Sequence, residues 1–388
     1  MAAYTTLGSL ITPAETVRCG SGKYPVLSMT MYGGIVLQRE RFKKSLASID
    51  QSDYKVVRRG QLVVGFPIDE GVLYFQEAAD EGIMSPAYQV WDVNTAQIYP
   101  DFLELCLHSP QSMQYYKDKL RGTTARRRSI PTADLLALRI CIPDMETQRR
   151  TVTVLNQLDL FIDKRRRQLA KLDELVNARF VEMFGDPVSN SMGWNVSLLK
   201  NVTSKINSGA TPKGGRESYP TEGITLIRSM NVHDGYFEYK DLAHLNSNQA
   251  EQLSNVEVNK DDVFINITGA SVARSCIVPE NVIPARVNQH VSIIRCKQSI
   301  FKPVFANQQF LNATFKKRLL ELGEAGGATR QAITKRQLEE LTVIVPPLDM
   351  QNLYAAFTQQ VNQKKQTIRQ SLDQLETLKK SLMQEYFG

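Results

Sequence analysis

Reactive and metal-binding residues are sparse and scattered in this chain. It has five cysteines, at 19, 106, 141, 276 and 296, and no two are spaced as CxxC. That excludes a zinc ribbon and a thioredoxin-type redox motif, and an odd, unpatterned set fits a reducing compartment rather than a disulfide framework. The four histidines, at 108, 233, 244 and 290, have no metal-ligand spacing. No glycine-rich cofactor fingerprint follows a strand-like run. The nearest approach to a phosphate loop is Gly20-Ser21-Gly22-Lys23. It puts Val17 where the first glycine belongs and Tyr24 where Ser or Thr belongs. Pro346-Pro347 is preceded by Val345 rather than a polar residue and is followed by no aromatic, so it is not a methyltransferase motif. No apolar run is long enough to span a bilayer. The opening MAAYTTLGSL has no charged segment leading into an apolar core, so no signal peptide is expected. These absences predict a cytoplasmic, non-catalytic chain with no membrane partner, no metal and no cofactor of its own.

What is present is length, a basic surface and a repeat. The 388 residues suffice for roughly two to three domains. A net charge of +7 and a pI near 9.0 allow nucleic acid as a partner without establishing it. The stretch Glu146 to Gly185 recurs at the end of the chain, with Gly185 mapping onto Gly388 at a gap-free offset of 203. At that offset Gln148 meets Gln351, Leu169 meets Leu372, Leu172 meets Leu375 and Phe184 meets Phe387. Upstream, Ile130 meets Ile333, Leu138 meets Leu341 and Pro143 meets Pro346. The period is far too long for a solenoid and implies a duplicated domain-plus-helix module.

Both copies read as long helices. The first carries Leu155, Leu158, Ile162, Leu169, Leu172, Val176, Phe180 and Met183 at steps of mostly three and four. The second carries Phe357, Val361, Ile368, Leu372, Leu375, Leu382 and Tyr386. Neither contains Pro, and Gly occurs only as the final residue, where a helix can stop. The narrow stripes suit two helices packed on each other better than two unrelated surface helices.

The globular parts are β-rich. Runs such as YPVLSMTMYGGIV, YKVVRRGQLVVGF, GVLYFQ and AYQVWDV alternate with turn residues. A helical stretch from Asp101 to about Leu120, the polar loop GTTARRRSIP and the strand LALRICIP follow. The second part answers in the same order: LIRSMNVHDGYF, VNKDDVFINITG, VNQHVSIIRC and GGATRQAI. The expectation is an α+β fold with a first domain at 1–145, a helix at 146–186, a second domain at 187–345 and a helix at 346–388.

In this order the segments resemble the specificity subunit of type I restriction-modification systems. The resemblance covers essentially the whole chain. It rests on the duplicated helices ending in Phe-Gly and on SGATPKGG, ITLIRSMNV, DDVFINITGASVAR, VNQHVS, GGATRQAI and VPP in the second domain. The first domain carries a variant of these, YPVLSMT, GGIV, YKVVRRG and SPAY, and lacks the SG-TP loop. The resemblance implies two target-recognition domains on double-stranded DNA, each reading half of a bipartite site, spaced by an antiparallel coiled-coil helix pair. It also implies two methyltransferase subunits and restriction-translocase subunits as partners. Those partners would use S-adenosylmethionine, ATP and Mg, and this chain would supply only the address. The rival readings are a stand-alone DNA-binding regulator and a non-DNA coiled-coil scaffold.

Candidate DNA contacts are polar or basic residues on loops at matching places. Arg126, Arg127 and Arg128 occupy one loop, and Arg330 and Gln331 its counterpart. Guanidinium groups can hold phosphate or read guanine O6 and N7, while an ordinary solvated loop is the plain alternative. Lys213 and Arg216 flank two glycines, either near a phosphate or in a simple surface turn. Thr268, Ser271 and Arg274 follow a strand end. Asn288, Gln289 and His290 precede a strand, where they either pair with adenine or cap a turn. Ser85 and Tyr88 are the weaker equivalents in the first domain. The run Lys164 to Arg167 lies mid-helix and reads mainly as a solvated face.

Overall fold

The computed structural model describes residues 3–31, 33–41, 50–121, 128–211, 219–324 and 331–387. Arg126, Arg127, Lys213, Arg216 and Arg330 therefore lie outside the described residues. The fold is α+β and forms two compact units. Unit 1 comprises 1–166 with 370–388, and unit 2 comprises 167–369. The offset of 203 carries residue 166 onto 369 and 167 onto 370, so the division between units repeats with the sequence.

Unit 1 runs β1 (Ala3–Thr6), β2 (Ile11–Pro13), β3 (Leu27–Met29), β4 (Ile35–Leu37), α1 (Gln38–Arg41), β5 (Lys55–Arg58), β6 (Leu62–Val64), β7 (Leu73–Phe75), β8 (Glu81–Met84) and β9 (Gln89–Val93). Then come α2 (Pro100–Leu107), α3 (Pro110–Lys119), α4 (Thr132–Leu136), β10 (Arg139–Ile142) and α5 (Met145–Phe184), of which α5 continues into unit 2. The main sheet is ordered β2-β9-β6-β7, and β1 pairs with β10. The single helix expected over 101–120 is two helices. Ser109 accepts the Ser112 N–H at 3.2 Å, and Pro110, which has no N–H to give, opens the second.

Unit 2 runs β11 (Val196–Leu198), α6 (Leu199–Val202), β12 (Thr203–Ser208), β13 (Ile224–Ile227), β14 (Val232–His233), β15 (Tyr236–Phe237), β16 (Ala243–Leu245), α7 (Ser247–Gln252), β17 (Val263–Asn266), β18 (Ser275–Ile277), β19 (Ala285–Val287) and β20 (Val291–Cys296). It closes with α8 (Pro303–Leu311), α9 (Ala313–Glu324), α10 (Lys335–Glu339), β21 (Thr342–Ile344) and α11 (Leu348–Phe387), of which α11 continues into unit 1. Its main sheet, β12-β20-β17-β18, repeats the order of the first, and β11 pairs with β21 as β1 does with β10. At the offset of 203, α4 maps onto α10 and α5 onto α11, bound for bound.

The helix stripes bury as halves. In unit 1, Leu155, Leu158 and Ile162 are buried, and Phe387 joins the core with Phe102 at 5.4 Å between rings. In unit 2, Val176, Phe180 and Met183 are buried, and Phe184 meets Phe305 at 4.8 Å, the same pair one repeat later. Within each unit the segments of α5 and α11 run antiparallel, as their ion pairs show. Lys379 and Asp159 (2.5 Å) and Arg166 and Glu376 (2.6 Å) pair in unit 1, and Lys365 and Asp173 (2.5 Å) in unit 2. Gln148 is fully buried because it serves two backbone ends: Oε1 takes the Tyr99 N–H at 2.8 Å and Nε2 donates to Pro143 O at 2.9 Å. Gln351 does the same for Lys302 and Pro346, each at 2.8 Å. α5 ends at Gly185 with φ 71, a left-handed geometry that suits glycine.

Candidate nucleic-acid interface

In unit 2, β17 and β20 are hydrogen-bonded neighbours, so the segment after one meets the turn before the other. Ile267 N–H donates to His290 O at 2.9 Å, and the Thr268 hydroxyl lies 2.5 Å from His290 Nδ1. Beyond Thr268 the chain makes a tight turn over Gly269–Ser271, where Gly269 (φ 74) and Ala273 (φ 66) take left-handed geometry. That turn is fixed from outside by Gly269 N–H donating to Gln331 O at 2.9 Å. The result is an open depression of about 580 Å³ lined by Thr268, Ser271, Arg274, His290 and Gln331, together with Ser229 and Met230. Five of the sequence candidates thus share one site.

The polar groups there are oriented. Gln289 Oε1 is engaged by the Thr211 hydroxyl, which leaves its amide Nε2 3.2 Å from His290 Nε2. An amide nitrogen can only donate, so His290 Nε2 accepts and Nδ1–H donates to Thr268 Oγ1. The Thr268 O–H then has no acceptor among the described residues. Arg274 Nη1 lies 3.4 Å from His233 Nδ1, and His233 Nε2 lies 3.2 Å from Met230 O. The second contact makes Nε2 the donor, so Nδ1 accepts from the guanidinium. His233 in turn stacks on Tyr236 at 4.8 Å. Asn288 is 5 % exposed, and its Oδ1 takes the His290 N–H at 3.0 Å. It is a turn cap, one of the two roles open to it from sequence, and not an outward-facing side chain.

Unit 1 has a different surface at the matching strand ends. Ser85 caps its own turn by accepting the Ala87 N–H at 3.4 Å. Tyr88 is half-buried and packs edge-on to Phe66 at 5.4 Å. Burial, and then the nearby Tyr54, push the Tyr88 phenol above its usual range. Lys55 donates to Tyr88 O at 2.6 Å, and burial with the Arg18 charge lowers its ammonium pKa. Arg128 does not extend outward: Nη1 reaches Asp69 Oδ2 at 2.5 Å and Nη2 pairs with Glu70. Sequence reasoning passed over Phe66, Ser229, Met230 and His233. Their one signal was position, since Phe66 follows the β6 strand run and Ser229, Met230 and His233 sit in LIRSMNVH after β13.

Among the described residues, no group of His, Cys, Asp and Glu could hold a metal, and no helix is long and apolar enough to cross a membrane. Burial pushes the thiols of Cys276 and Cys296 up to about 12, far from reactive.

Residues 192–377 match the family of the type I restriction modification DNA specificity domain. That region, just under half of the chain, is similar to the DNA specificity domain of type I restriction-modification systems. It is 24% identical over 168 residues to the HindI specificity subunit of Haemophilus influenzae, covering 41% of this chain and 37% of that one. The chain therefore spans little more than a third of that relative. It is 22% identical over 306 residues to a putative MjaX specificity subunit of Methanocaldococcus jannaschii, covering 75% of this chain and 68% of that one. Its fold is that of a chain solved in work on complex assembly and conformational transition of the type I system, with a TM-score of 0.57 at 17% identity, covering 100% and 97% of the two chains. The type I S subunit from M. genitalium gives the same TM-score at 13% identity, covering 100% and 96%.

Proposed function

We propose that this chain reads an asymmetric, bipartite double-stranded DNA site, one half with each unit, and carries that address to catalytic partners. The observation behind this is a common scaffold with unlike faces. Matching strand ends present Thr268, Arg274 and His290 in one unit and Phe66 and Tyr88 in the other. Different donors, acceptors and apolar edges favour different bases in the major groove. The functional division follows the sequence: readers at 1–145 and 187–345, and helices at 146–186 and 346–388. Of the candidates, Thr268, Ser271, Arg274, Gln289 and His290 line or adjoin the unit 2 face, and Tyr88 belongs to the unit 1 face. Arg126, Arg127, Lys213, Arg216 and Arg330 remain phosphate or base contacts by charge and loop position.

Two methyltransferase subunits dock on the helices, and restriction-translocase subunits join them. Leu175 and Leu378 support two equivalent docking faces. They occupy the same repeat position, and each is nearly half exposed, at 46% and 47%. S-adenosylmethionine, ATP and Mg act in the partners, and the assembly works in the cytoplasm. The test is methylome sequencing of a host carrying the chain with its methyltransferase. A methylated motif of two different half-sites around an unspecified gap is expected. A palindromic motif, or none, overturns the reading. Salt-independent duplex binding would favour a scaffold over a DNA reader, because phosphate contacts release counterions.

A further inference from the structure

Arg128 and Gln331 occupy the same position of the repeat, and a carboxylate engages the side chain of each. The Arg128 backbone carbonyl accepts the Ile68 N–H at 3.3 Å, and that of Gln331 accepts the Gly269 N–H. Each residue therefore fastens one stretch of chain to the turn that follows the β6 or β17 strand. Gln331 sends its amide to Glu324 at 2.9 Å and leaves the turn to the backbone bond. Arg128 adds a two-pronged ion pair, to Asp69 and Glu70, within the turn Ile68–Glu70. Asp69 is the more enclosed partner, with a side chain 9% exposed, and its Oδ1 has no partner among the described residues. A carboxylate so enclosed depends on a paired cation. The turn directly follows Phe66-Pro67, and Phe66 is the ring that packs on Tyr88.

We propose that Arg128 is a positioning residue: through Asp69 and Glu70 it holds the Phe66–Tyr88 edge of unit 1 in place for the DNA, and it does not itself contact a base or a phosphate. This rests on the reading of unit 1 as a DNA reader. It reverses the assignment that the run of three arginines suggests from sequence. A guanidinium occupied by two carboxylates carries no net attraction for a phosphate, and its planar donors already point into the protein.

The two roles give opposite results for the carboxylates. If Arg128 positions, removing Asp69 and Glu70 resembles removing Arg128. If Arg128 reads, removing them releases it and strengthens its contact. The experiment selects from random-sequence duplexes with the full chain and its methyltransferase. The chains compared are the wild type, R128A, D69N/E70Q and the triple variant. R128A and D69N/E70Q are expected to flatten base preference across the half-site read by unit 1, by about tenfold. The triple variant is expected to be no worse than R128A, the coupling of a shared interaction. Preference at the other half-site stays intact and serves as the control for folding. Loss of a single base position in R128A, with D69N/E70Q unchanged or sharper, overturns the proposal. So does an R128A variant that keeps both half-site preferences. A wild type that enriches no motif removes the DNA-reading function itself and this inference with it.

Discussion

Units 1 and 2 share a sheet order, a helix order and a buried glutamine, yet differ at nearly every polar group their strand ends present. The scaffold positions repeat because each solves a backbone problem that side-chain choice can solve in few ways. Gln148 and Gln351 must satisfy one donor and one acceptor in a dry place. The presented positions face solvent, so their identity is free to follow a ligand. Electrostatics differ too. Unit 2 holds the fully buried Asp262 with both arms of Arg295, each at 2.8 Å. Unit 1 has exposed pairs such as Arg59 with Asp80 at 3.1 Å beside its enclosed Arg128–Asp69 pair.

That contrast can be broken at several points. The largest effect is expected for Arg295→Ala, which strands Asp262 without a counter-charge. It should cost about 3–5 kcal/mol, where Arg59→Ala costs under about 1 kcal/mol. Denaturant unfolding monitored separately for the two units decides, and equal losses would remove the distinction. Next come Gln148→Ala and Gln351→Ala. Each leaves buried backbone groups unpaired and should cost about 1–3 kcal/mol, with the two values close to each other. A large gap between them in the same unfolding assay would show that the scaffold is less symmetric than its geometry.

Reading positions should behave in the opposite way. His290→Asn removes the acceptor that orients Gln289 and the donor to Thr268. It should lose about 1–3 kcal/mol at the half-site of unit 2 alone. Tyr88→Ala should do the same at the other half-site. Competition binding with duplexes altered in one half-site separates them, and a loss spread evenly over both halves speaks against divided reading.

The smallest effect concerns Glu104, whose repeat partner is Asn307. Burial raises the Glu104 carboxyl above its usual range, partly offset by the Phe75 N–H it accepts at 3.0 Å. The protonated form is thus favoured in the folded state. Its contribution is fully present below the ordinary value of 4.5 and is lost as pH rises through the raised folded value. At neutral pH the ionised group is a burden, so Glu104→Gln should gain up to about 1 kcal/mol there. The gain should shrink toward zero below pH 4.5, and a gain that is constant with pH would place its cause elsewhere.

The sequence alone determined the duplication, its offset, the two long helices, their Gly stop and the order of the strand runs. Periodicity and self-similarity are local or translational, and both survive in one dimension. It also flagged Thr268 and His290, but as members of separate segments. Only the pairing of β17 with β20 brings those residues, 22 apart in sequence, to 2.5 Å. Likewise the sequence shows Arg128 as one of three arginines, and nothing nearby in the chain names its partners. Asp69 and Glu70 lie 59 and 58 residues away. Composition fixes how many charges a chain carries. Which of them face a ligand and which face one another depends on contacts distant in sequence, and those only the folded chain decides.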